Sequence, residues 1–283
     1  LSGLSINNYS GNVSIASAGA TTQNVAVSGS VTSVVLPPTL TIPSPTTLSG
    51  FTYGVGNGPS RIKSFSFTGQ NLTDTVRVSI TTTNFEISLD SLTGYVSNIT
   101  GPLKIAPVAG SVPTTKVYAR LKAGLTASAT AYQAKKVTIS STGATSVIDT
   151  LYGTVFTPSI TSSPSSLTGF TYVVGSGPTA TQSCSVSASA SVPVGIKAPS
   201  NYEISLTNGS GYTDSVTLNP INDSTVASTP VYVRMKAGLS AGSYNDSLVA
   251  SSNGANNKSI TLNGTVTNPG AGGSFTATWP FLT

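Results

Sequence analysis

A nine-residue segment that occurs twice constrains this chain more than any other feature. Residues 117–125 read VYARLKAGL, and residues 231–239 read VYVRMKAGL. The opening residues Leu-Ser-Gly-Leu align with the end of both copies. Three further blocks recur in the same order: LSGFTY at 48–53 and LTGFTY at 167–172, NFEISL at 84–89 and NYEISL at 201–206, GTV at 153–155 and 264–266. The chain therefore contains a tandem repeat.

The length of the repeat predicts complete domains. The distance between matching blocks falls from 119 to 111 residues along the chain, so the blocks are predicted to be strands and the gaps surface loops. Such a unit exceeds the roughly 20–50 residues of a solenoid repeat and suits a domain with its own core. We predict complete repeats at 37–155 and 157–267, the C-terminal strands of a truncated repeat at 1–33, and a Gly-rich linker with the start of a further segment at 268–283.

Alternating apolar and polar residues predict strands throughout. The pattern is clear at residues 64–67, 76–80, 85–89 and 117–121, and alternation buries one face of each strand. No segment has a convincing helical period. Charged residues make up only 7% of the chain, against roughly 25% in ordinary soluble proteins. These features predict an all-β chain of tandem immunoglobulin-like β-sandwich domains, arranged as beads on a string.

A hairpin is predicted near the N-terminus and again at the end of each repeat. Residues 12–17 and 23–31 alternate around the turn Ala18-Gly19. Equivalent turns fall at Thr142-Gly143 and Asn253-Gly254, and Asn-Gly favours a type I′ turn. Because an isolated hairpin is marginal in water, the first hairpin is expected to find its missing strands elsewhere in a longer chain or in a neighbouring chain.

Two further features concern the junctions between domains and the corners within them. Proline-rich junctions at residues 34–45 and 156–164 should stay extended and limit the angle between domains. A tyrosine also follows each Gly-Leu pair, at Tyr9, Tyr132 and Tyr244. We interpret these as tyrosine corners, in which the hydroxyl bonds back to the backbone, and prefer this role to ligand binding.

The residues that catalysis and metal binding require are scarce. The chain has no His, which excludes a Ser/His/Asp triad and a Cys/His dyad and removes a usual zinc ligand. Glu86 and Glu203 occupy the same position in successive repeats, so they are not expected to share one cleft. The lone Cys184 aligns with Phe65 and is predicted to be a small buried hydrophobe. We predict no catalytic residue, metal or cofactor, and hence no enzyme in this chain.

Charge and hydropathy argue against two classes of partner. The net charge is +5, but the basic residues are scattered, and a nucleic-acid site needs them clustered. No run of 18 or more apolar residues is present to span a bilayer. The partners expected are copies of this chain or neighbouring repeats in a fibre, together with covalent glycans.

Each aspartate is followed by Ser or Thr, although these make up only about a third of the chain. The third residue is Val, Leu or Thr, giving DTV at 74–76, DSL at 90–92, DTL at 149–151, DSV at 214–216, DST at 223–225 and DSL at 246–248. Side-chain hydrogen bonds at turns explain the first two residues of a triplet but not the third.

These triplets resemble the O-glycosylation signal of Bacteroidota, in which Asp precedes Ser or Thr and then a small aliphatic residue or Thr. The resemblance implies six acceptors: Thr75, Ser91, Thr150, Ser215, Ser224 and Ser247. N-glycosylation is an alternative if the source is eukaryotic or archaeal, at nine Asn-x-Ser/Thr sequons: Asn8, Asn12, Asn71, Asn98, Asn208, Asn222, Asn245, Asn257 and Asn263.

The repeat blocks are themselves similar to the immunoglobulin-like modules of large secreted Bacteroidota surface proteins, which are adhesin-like and often exported by the type IX system. The matching motifs are L[ST]GFTY, N[FY]EISL, VYxRxKAGL with its following Tyr, and the closing GTV. They cover nearly all of residues 1–267. The resemblance implies an extracellular or cell-surface location.

The sequence is consistent with two functions. The first is a structural or adhesive surface stalk or fibre, decorated with sugars. The alternative is a carbohydrate-binding or spacer module of a larger secreted enzyme. Its ligand-binding candidates are Tyr95 and Tyr212, which follow Gly94 and Gly211 on predicted loops. Packing at a turn or sheet edge would explain the same two tyrosines.

Overall fold

The computed structural model describes residues 3–43 and 45–270. Of the segment predicted at 268–283, residues 271–283, which include Trp279, lie outside these residues. The described residues form twenty strands and no helix. The strands are β1 (Asn7–Ile15), β2 (Gln23–Val31), β3 (Thr39–Thr41), β4 (Thr47–Gly54), β5 (Lys63–Gln70), β6 (Val76–Ile80), β7 (Phe85–Ser88), β8 (Leu103–Ile105), β9 (Val112–Leu121), β10 (Lys135–Ser140), β11 (Val147–Phe156), β12 (Ser159–Ser163), β13 (Ser166–Val173), β14 (Gln182–Ser189), β15 (Val194–Lys197), β16 (Tyr202–Ser205), β17 (Ser215–Leu218), β18 (Thr225–Met235), β19 (Gly242–Ser251) and β20 (Lys258–Thr267).

Strands β3 to β11 form one sandwich and β12 to β20 form a second. The first pairs a sheet of order β3-β5-β9-β7 with a sheet of order β4-β11-β10-β6-β8. The second repeats this strand for strand, as β12-β14-β18-β16 and β13-β20-β19-β15-β17. Pairing is antiparallel except between β4 and β11 and between β13 and β20, which run parallel. The all-β, immunoglobulin-like fold predicted from the sequence is confirmed.

Each sandwich has its own apolar core. In the first, the rings of Phe51 and Phe85 meet edge to face with centroids 5.2 Å apart. In the second, Phe170 and Tyr202 take the same places at 5.4 Å, a favourable aromatic geometry. Cys184 is 2% exposed within the second core, so its prediction as a small buried hydrophobe is confirmed.

A tyrosine hydroxyl explains why two of the repeated blocks recur together. Tyr53, which ends the LSGFTY block, donates to the carbonyl of Lys122 at 2.6 Å. The same hydroxyl accepts the amide of Leu125 at 3.1 Å. Tyr172 makes the equivalent two bonds in the second sandwich. The tyrosine therefore fixes the Lys-Ala-Gly-Leu turn, and both motifs serve the fold.

The three predicted tyrosine corners are confirmed. Each hydroxyl donates to a backbone carbonyl four to six residues upstream at 2.7 Å: Tyr9 to Ser5, Tyr132 to Thr126 and Tyr244 to Ser240. A buried or partly buried hydroxyl needs such a partner, so this contact accounts for the recurring tyrosine.

The closing turns differ from the predicted type I′ geometry. A type I′ turn needs positive φ at both central residues. Here Gly254 has φ +79°, whereas Asn253 is not in the left-handed region. The amide of Ala255 bonds to the carbonyl of Ser252 at 3.1 Å. Positive φ at the second central residue alone is the pattern of a type II turn, so the type I′ prediction is wrong.

The proline-rich junctions are also shorter than predicted. Strand β3 lies within the first and pairs with β5, and β12 lies within the second and pairs with β14. Leu40 and Ile160 are buried at their centres, which draws both segments onto the sheets. Only Thr157 and Pro158 remain between β11 and β12.

Candidate functional site

A tyrosine, an arginine and a glutamate form a cluster on the outer face of the first sandwich. Glu86 in β7 and Arg120 in β9 are register partners on the side away from the core. Arg120 donates its Nε–H to Glu86 Oε1 at 2.6 Å, and its guanidinium lies 3.7 Å from the ring centroid of Tyr95. Tyr95 donates its hydroxyl to the carbonyl of Ser91 at 3.2 Å. Burial raises the pKa of Tyr95.

The second sandwich contains the same cluster. Arg234 bonds to Glu203 at 2.7 Å and stacks on Tyr212 at 3.7 Å. The two glutamates therefore lie in separate sandwiches, each held by its own arginine. Cation–π stacking and a partly buried ion pair both stabilise a sheet face. An arginine covers one face of each ring, as expected of edge packing, and the ligand-binding role of Tyr95 and Tyr212 stays a prediction.

The six predicted glycan acceptors differ in exposure. Ser215, at the start of β17, is exposed. The other five are partly buried: Thr75, Ser91, Thr150, Ser224 and Ser247. Thr150 and Ser247 also lie inside β11 and β19, which have paired strands on both sides. Glycosylation stays a prediction, and access favours Ser215.

Local geometry gives the Asp-Ser/Thr pairs a second explanation. The carboxylates of Asp74, Asp149 and Asp246 each accept the amide of the following residue at 2.7 Å. Asp90 instead accepts the amides of Leu92 and Thr93. Such side-chain-to-backbone bonds favour Asp at turns, as at Asp90, and here Asp149 and Asp246 make them inside strands.

Three triplets also have a structural reason for their apolar third residue. Val76, Leu151 and Leu248 are 0% exposed in the two cores. By contrast, Leu92 is 82% exposed, so packing does not explain the triplet at 90–92. Core packing therefore accounts for the third residue of three triplets, and the predicted glycosylation remains an explanation for the triplet at 90–92.

One of these aspartates lies inside the first core. Asp149 is 0% exposed, and its Oδ2 has no hydrogen-bond partner among the described residues. Burial raises its pKa to about 6, an effect that the Thr150 amide opposes. At the equivalent place in the second sandwich, Ile260 is 0% exposed. The alignment of the two repeats was the signal that could have revealed this buried carboxyl.

The two sandwiches meet in a polar joint that the sequence did not predict. The loop after β4 and the closing turn at Asn253 face each other. Asn57 donates to the Asn253 carbonyl at 2.9 Å, and the Asn253 amide returns a bond to Asn57 Oδ1 at 2.6 Å. Gly54 donates its amide to Ser191 Oγ at 2.9 Å. Arg61 forms an ion pair with Asp223.

Glycine is required where this joint is tightest. A Cβ at Gly254 would collide with the carbonyl of Val55 and lie 3.2 Å from Pro158. A Cβ at Gly54 would come within 2.6 Å of the Pro158 ring. The two-residue connection is therefore packed between the sandwiches.

An open cleft lies beside the joint, and the sequence did not reveal it. Its volume is about 570 Å³. Tyr152 and Phe156 line it from β11, and Ser189 and Thr225 line it from the second sandwich. Aromatic faces beside polar groups are what a sugar site needs, although the cleft contains no acid.

The described residues offer no site for a metal. Within 3–43 and 45–270, no group of three or more His, Cys, Asp or Glu side chains converges. No helix there has the length and apolarity needed to cross a bilayer.

Comparisons with known proteins give distant structural matches only. No protein-family model matches the chain, and no curated protein matches it. Among solved structures, the CupB6 tip adhesin from Pseudomonas aeruginosa is 9% identical, with 93% of this chain and 98% of that chain covered and a TM-score of 0.27. DIP-gamma IG1+IG2 is 11% identical, with 83% and 99% covered and a TM-score of 0.29. An endo-fucoidan hydrolase from glycoside hydrolase family 107 is 10% identical, with 94% and 34% covered and a TM-score of 0.24.

Proposed function

We propose that this chain is a structural, adhesive part of an extracellular surface protein, in which sandwiches are stacked end to end as a stalk or fibre. The observation that carries the proposal is the joint. Two repeats are linked by only two residues and held together by side-chain hydrogen bonds between Asn57 and Asn253 and between Gly54 and Ser191. A connection of this kind limits bending, whereas domains joined by a flexible linker move freely.

The proposal assigns residues 37–155 and 157–267 to successive units of the stalk. The repeated motifs support it because the fold uses them: tyrosines fix turns, and Arg–Glu pairs fix sheet faces. Catalysis would need a convergent acid, base or nucleophile. The ionisable groups that the structure describes are instead paired one to one or isolated, as Asp149 is.

The joint can be tested by measuring how widely it bends. Spin labels at Thr114→Cys and Ser228→Cys, exposed equivalent positions in the two sandwiches, should give a narrow distance distribution by pulsed electron resonance. In a double variant, Arg61→Glu places a second carboxylate beside Asp223, and Asn57→Ala removes the bonds to Asn253. The distance distribution of this variant should be about twice as broad as that of the parent. The matched control is Lys197→Glu, because Lys197 has no ion-pair partner within residues 3–43 and 45–270. A broad distribution in the parent chain would contradict the stiff stalk, and equally narrow distributions in all three chains would contradict the role of these contacts.

The surface of the stalk is proposed to carry O-linked glycans at the Asp-Ser/Thr triplets. Sugar would hydrate a surface in which charge is scarce. Peptide mapping of the protein from its native source should find the largest occupancy at Ser215, the exposed acceptor. Asp214→Ala should remove the sugar from Ser215 while leaving other sites modified. Six unmodified triplets would refute the assignment.

A second candidate function is carbohydrate binding at the cleft beside the joint. Its support is the pairing of Tyr152 and Phe156 with Ser and Thr side chains around about 570 Å³ of open space. If a glycan binds there, Tyr152→Ala should weaken binding about tenfold or more, because a stacked ring supplies much of the affinity for a sugar face. Tyr95→Ala should leave binding unchanged. The opposite pattern would favour the Tyr95 and Tyr212 clusters instead.

A further inference from the structure

The N-terminal hairpin is a residue-for-residue counterpart of the hairpin that closes the second sandwich. Strands β1 and β2 pair Asn7 with Val31 and Ile15 with Gln23. Strands β19 and β20 pair Gly242 with Val266 and Ala250 with Lys258. Every partner is displaced by 235 residues, and so are the tyrosine corners at Tyr9 and Tyr244. The two hairpins therefore have the same register and the same closing geometry.

Their burial is opposite. The apolar side chains on one face of β1 and β2 are exposed: Val13 by 53%, Ile15 by 62%, Val25 by 53% and Val27 by 48%. Their counterparts Leu248, Ala250, Ile260 and Leu262 are all 0% exposed. The opposite face of the hairpin carries polar residues such as Asn12, Ser14, Asn24 and Ser28. The hairpin thus has an apolar face of the kind that is buried in a sandwich core, but here this face is exposed. A groove of about 570 Å³ lies along it.

The shape of this face indicates what it receives. In β20, Gly264 lies against Met235 and the Tyr202 hydroxyl, so that a Cβ would collide with both. Gly153 in β11 lies in the same way against Leu121 and Phe85. At the counterpart Gly29, apart from its two chain neighbours, no described residue has an atom within 4 Å of where the Cβ would be. A missing side chain on an otherwise apolar face of the strand leaves space for a large aromatic from the facing sheet.

The strand edges give a second, independent indication. In the closed sandwich, β20 pairs with the parallel strand β13, and β19 pairs with β15. The sheet of β1 and β2 contains no third strand among the described residues, which leaves both outer edges as templates for pairing. Two hairpins packed face to face would fill neither edge and would set Gly29 against a surface with no aromatic side chain except Tyr9.

We propose that the β1–β2 hairpin is a docking surface for the complementary strands of the same repeat. The occupant is a polypeptide with the chemistry of β12 to β18. It supplies a parallel L[ST]GFTY strand along β2, an antiparallel strand along β1, and an aromatic ring over Gly29. Docking would bury Val13, Ile15, Val25 and Val27 and complete a third sandwich next to the first. The inference rests on the repeat fold and is independent of the adhesive role.

The test is to supply the missing strands. Residues 157–235 are fused directly before Leu1 of the full chain, since Leu1 aligns with Lys236. Hydrogen exchange measured by mass spectrometry should then show amides in 7–31 protected by about 100-fold or more relative to the unfused chain, as expected for strands in a closed core. The joined unit should also lose exposed apolar surface. Unchanged exchange in 7–31 would overturn the proposal.

Three variants of the fusion separate docking from nonspecific collapse. Gly29→Val, or Val25→Asp with Val27→Asp, should abolish the protection, whereas Ser28→Asp on the polar face should keep it. If the protection persisted in the Gly29→Val variant, the proposed position of an aromatic ring over Gly29 would be contradicted. Protection of the unfused chain that rises with its concentration would identify a second copy of the hairpin as the occupant and would also overturn the proposal. None of these outcomes depends on adhesion or glycosylation.

Discussion

Replacing Asp149 with valine is expected to stabilise the first sandwich by about 3 kcal/mol at pH 7. The carboxyl is fully buried, one oxygen has no partner, and burial raises its pKa to about 6. Keeping the carboxylate ionised there costs about 3 kcal/mol relative to an unfolded chain with an ordinary pKa of about 3.9. The second sandwich has Ile260 in the same place, so the fold accepts a branched aliphatic side chain.

The pH dependence has a definite sign. Because the folded pKa is raised, the native state binds more protons than the unfolded state between about pH 4 and pH 6. The free energy of unfolding should therefore fall as pH rises through this window and level off above it. Denaturant titrations of the parent, Asp149→Val and Asp149→Asn should show that both substitutions remove this slope. If the free energy of unfolding of the first sandwich in the parent chain were independent of pH from 4 to 7, the buried carboxyl would be contradicted.

Replacing Gly153 or Gly264 with valine is expected to destabilise the sandwich that contains it by about 3 kcal/mol. A Cβ at Gly153 would lie 2.7 Å from Leu121 and 3.0 Å from Phe85, all inside the core. Leu121 and Phe85 are both 0% exposed, and overpacking a dense core is destabilising. Thermal denaturation should show a lower midpoint temperature for the sandwich that carries the substitution and an unchanged midpoint for the other.

The matched control for this pair is Gly29→Val. In the unfused chain it should leave both transitions unchanged, because no described residue other than its two chain neighbours has an atom within 4 Å of its Cβ position. A large loss of stability from Gly29→Val would mean that the hairpin is already packed against something. Equal tolerance of valine at all three glycines would show that the glycine requirement is not steric.

The parts of the fold that follow from local pattern were predictable. Alternation located strands such as β6 and β9, and the recurring tyrosines were interpreted correctly as corners because each acts within its own neighbourhood. The short strand β3 was taken for a linker, since three residues give little periodic signal. The Asn253-Gly254 turn was assigned from its dipeptide, while loop context selects type II geometry.

The candidate sites needed tertiary information. Tyr95 was recognised from its repetition, but its stacking on Arg120 depends on which strands become neighbours. The joint and the cleft bring together residues that are distant in sequence, for example by 196 positions for Asn57 and Asn253, and no local pattern encodes such contacts. Asp149 was noticed for its triplet, and its burial follows only from aligning it with Ile260.

The most direct test of the stacked stalk is electron microscopy of the protein from its native source, at a resolution that shows side-chain density. The account predicts successive sandwiches in line, related by the Asn57–Asn253 joint, with extra density on acceptors of the Asp-Ser/Thr triplets and Ser215 foremost. A compact particle in which these sandwiches pack on a separate catalytic body would contradict it and would make the repeats spacers or binding modules.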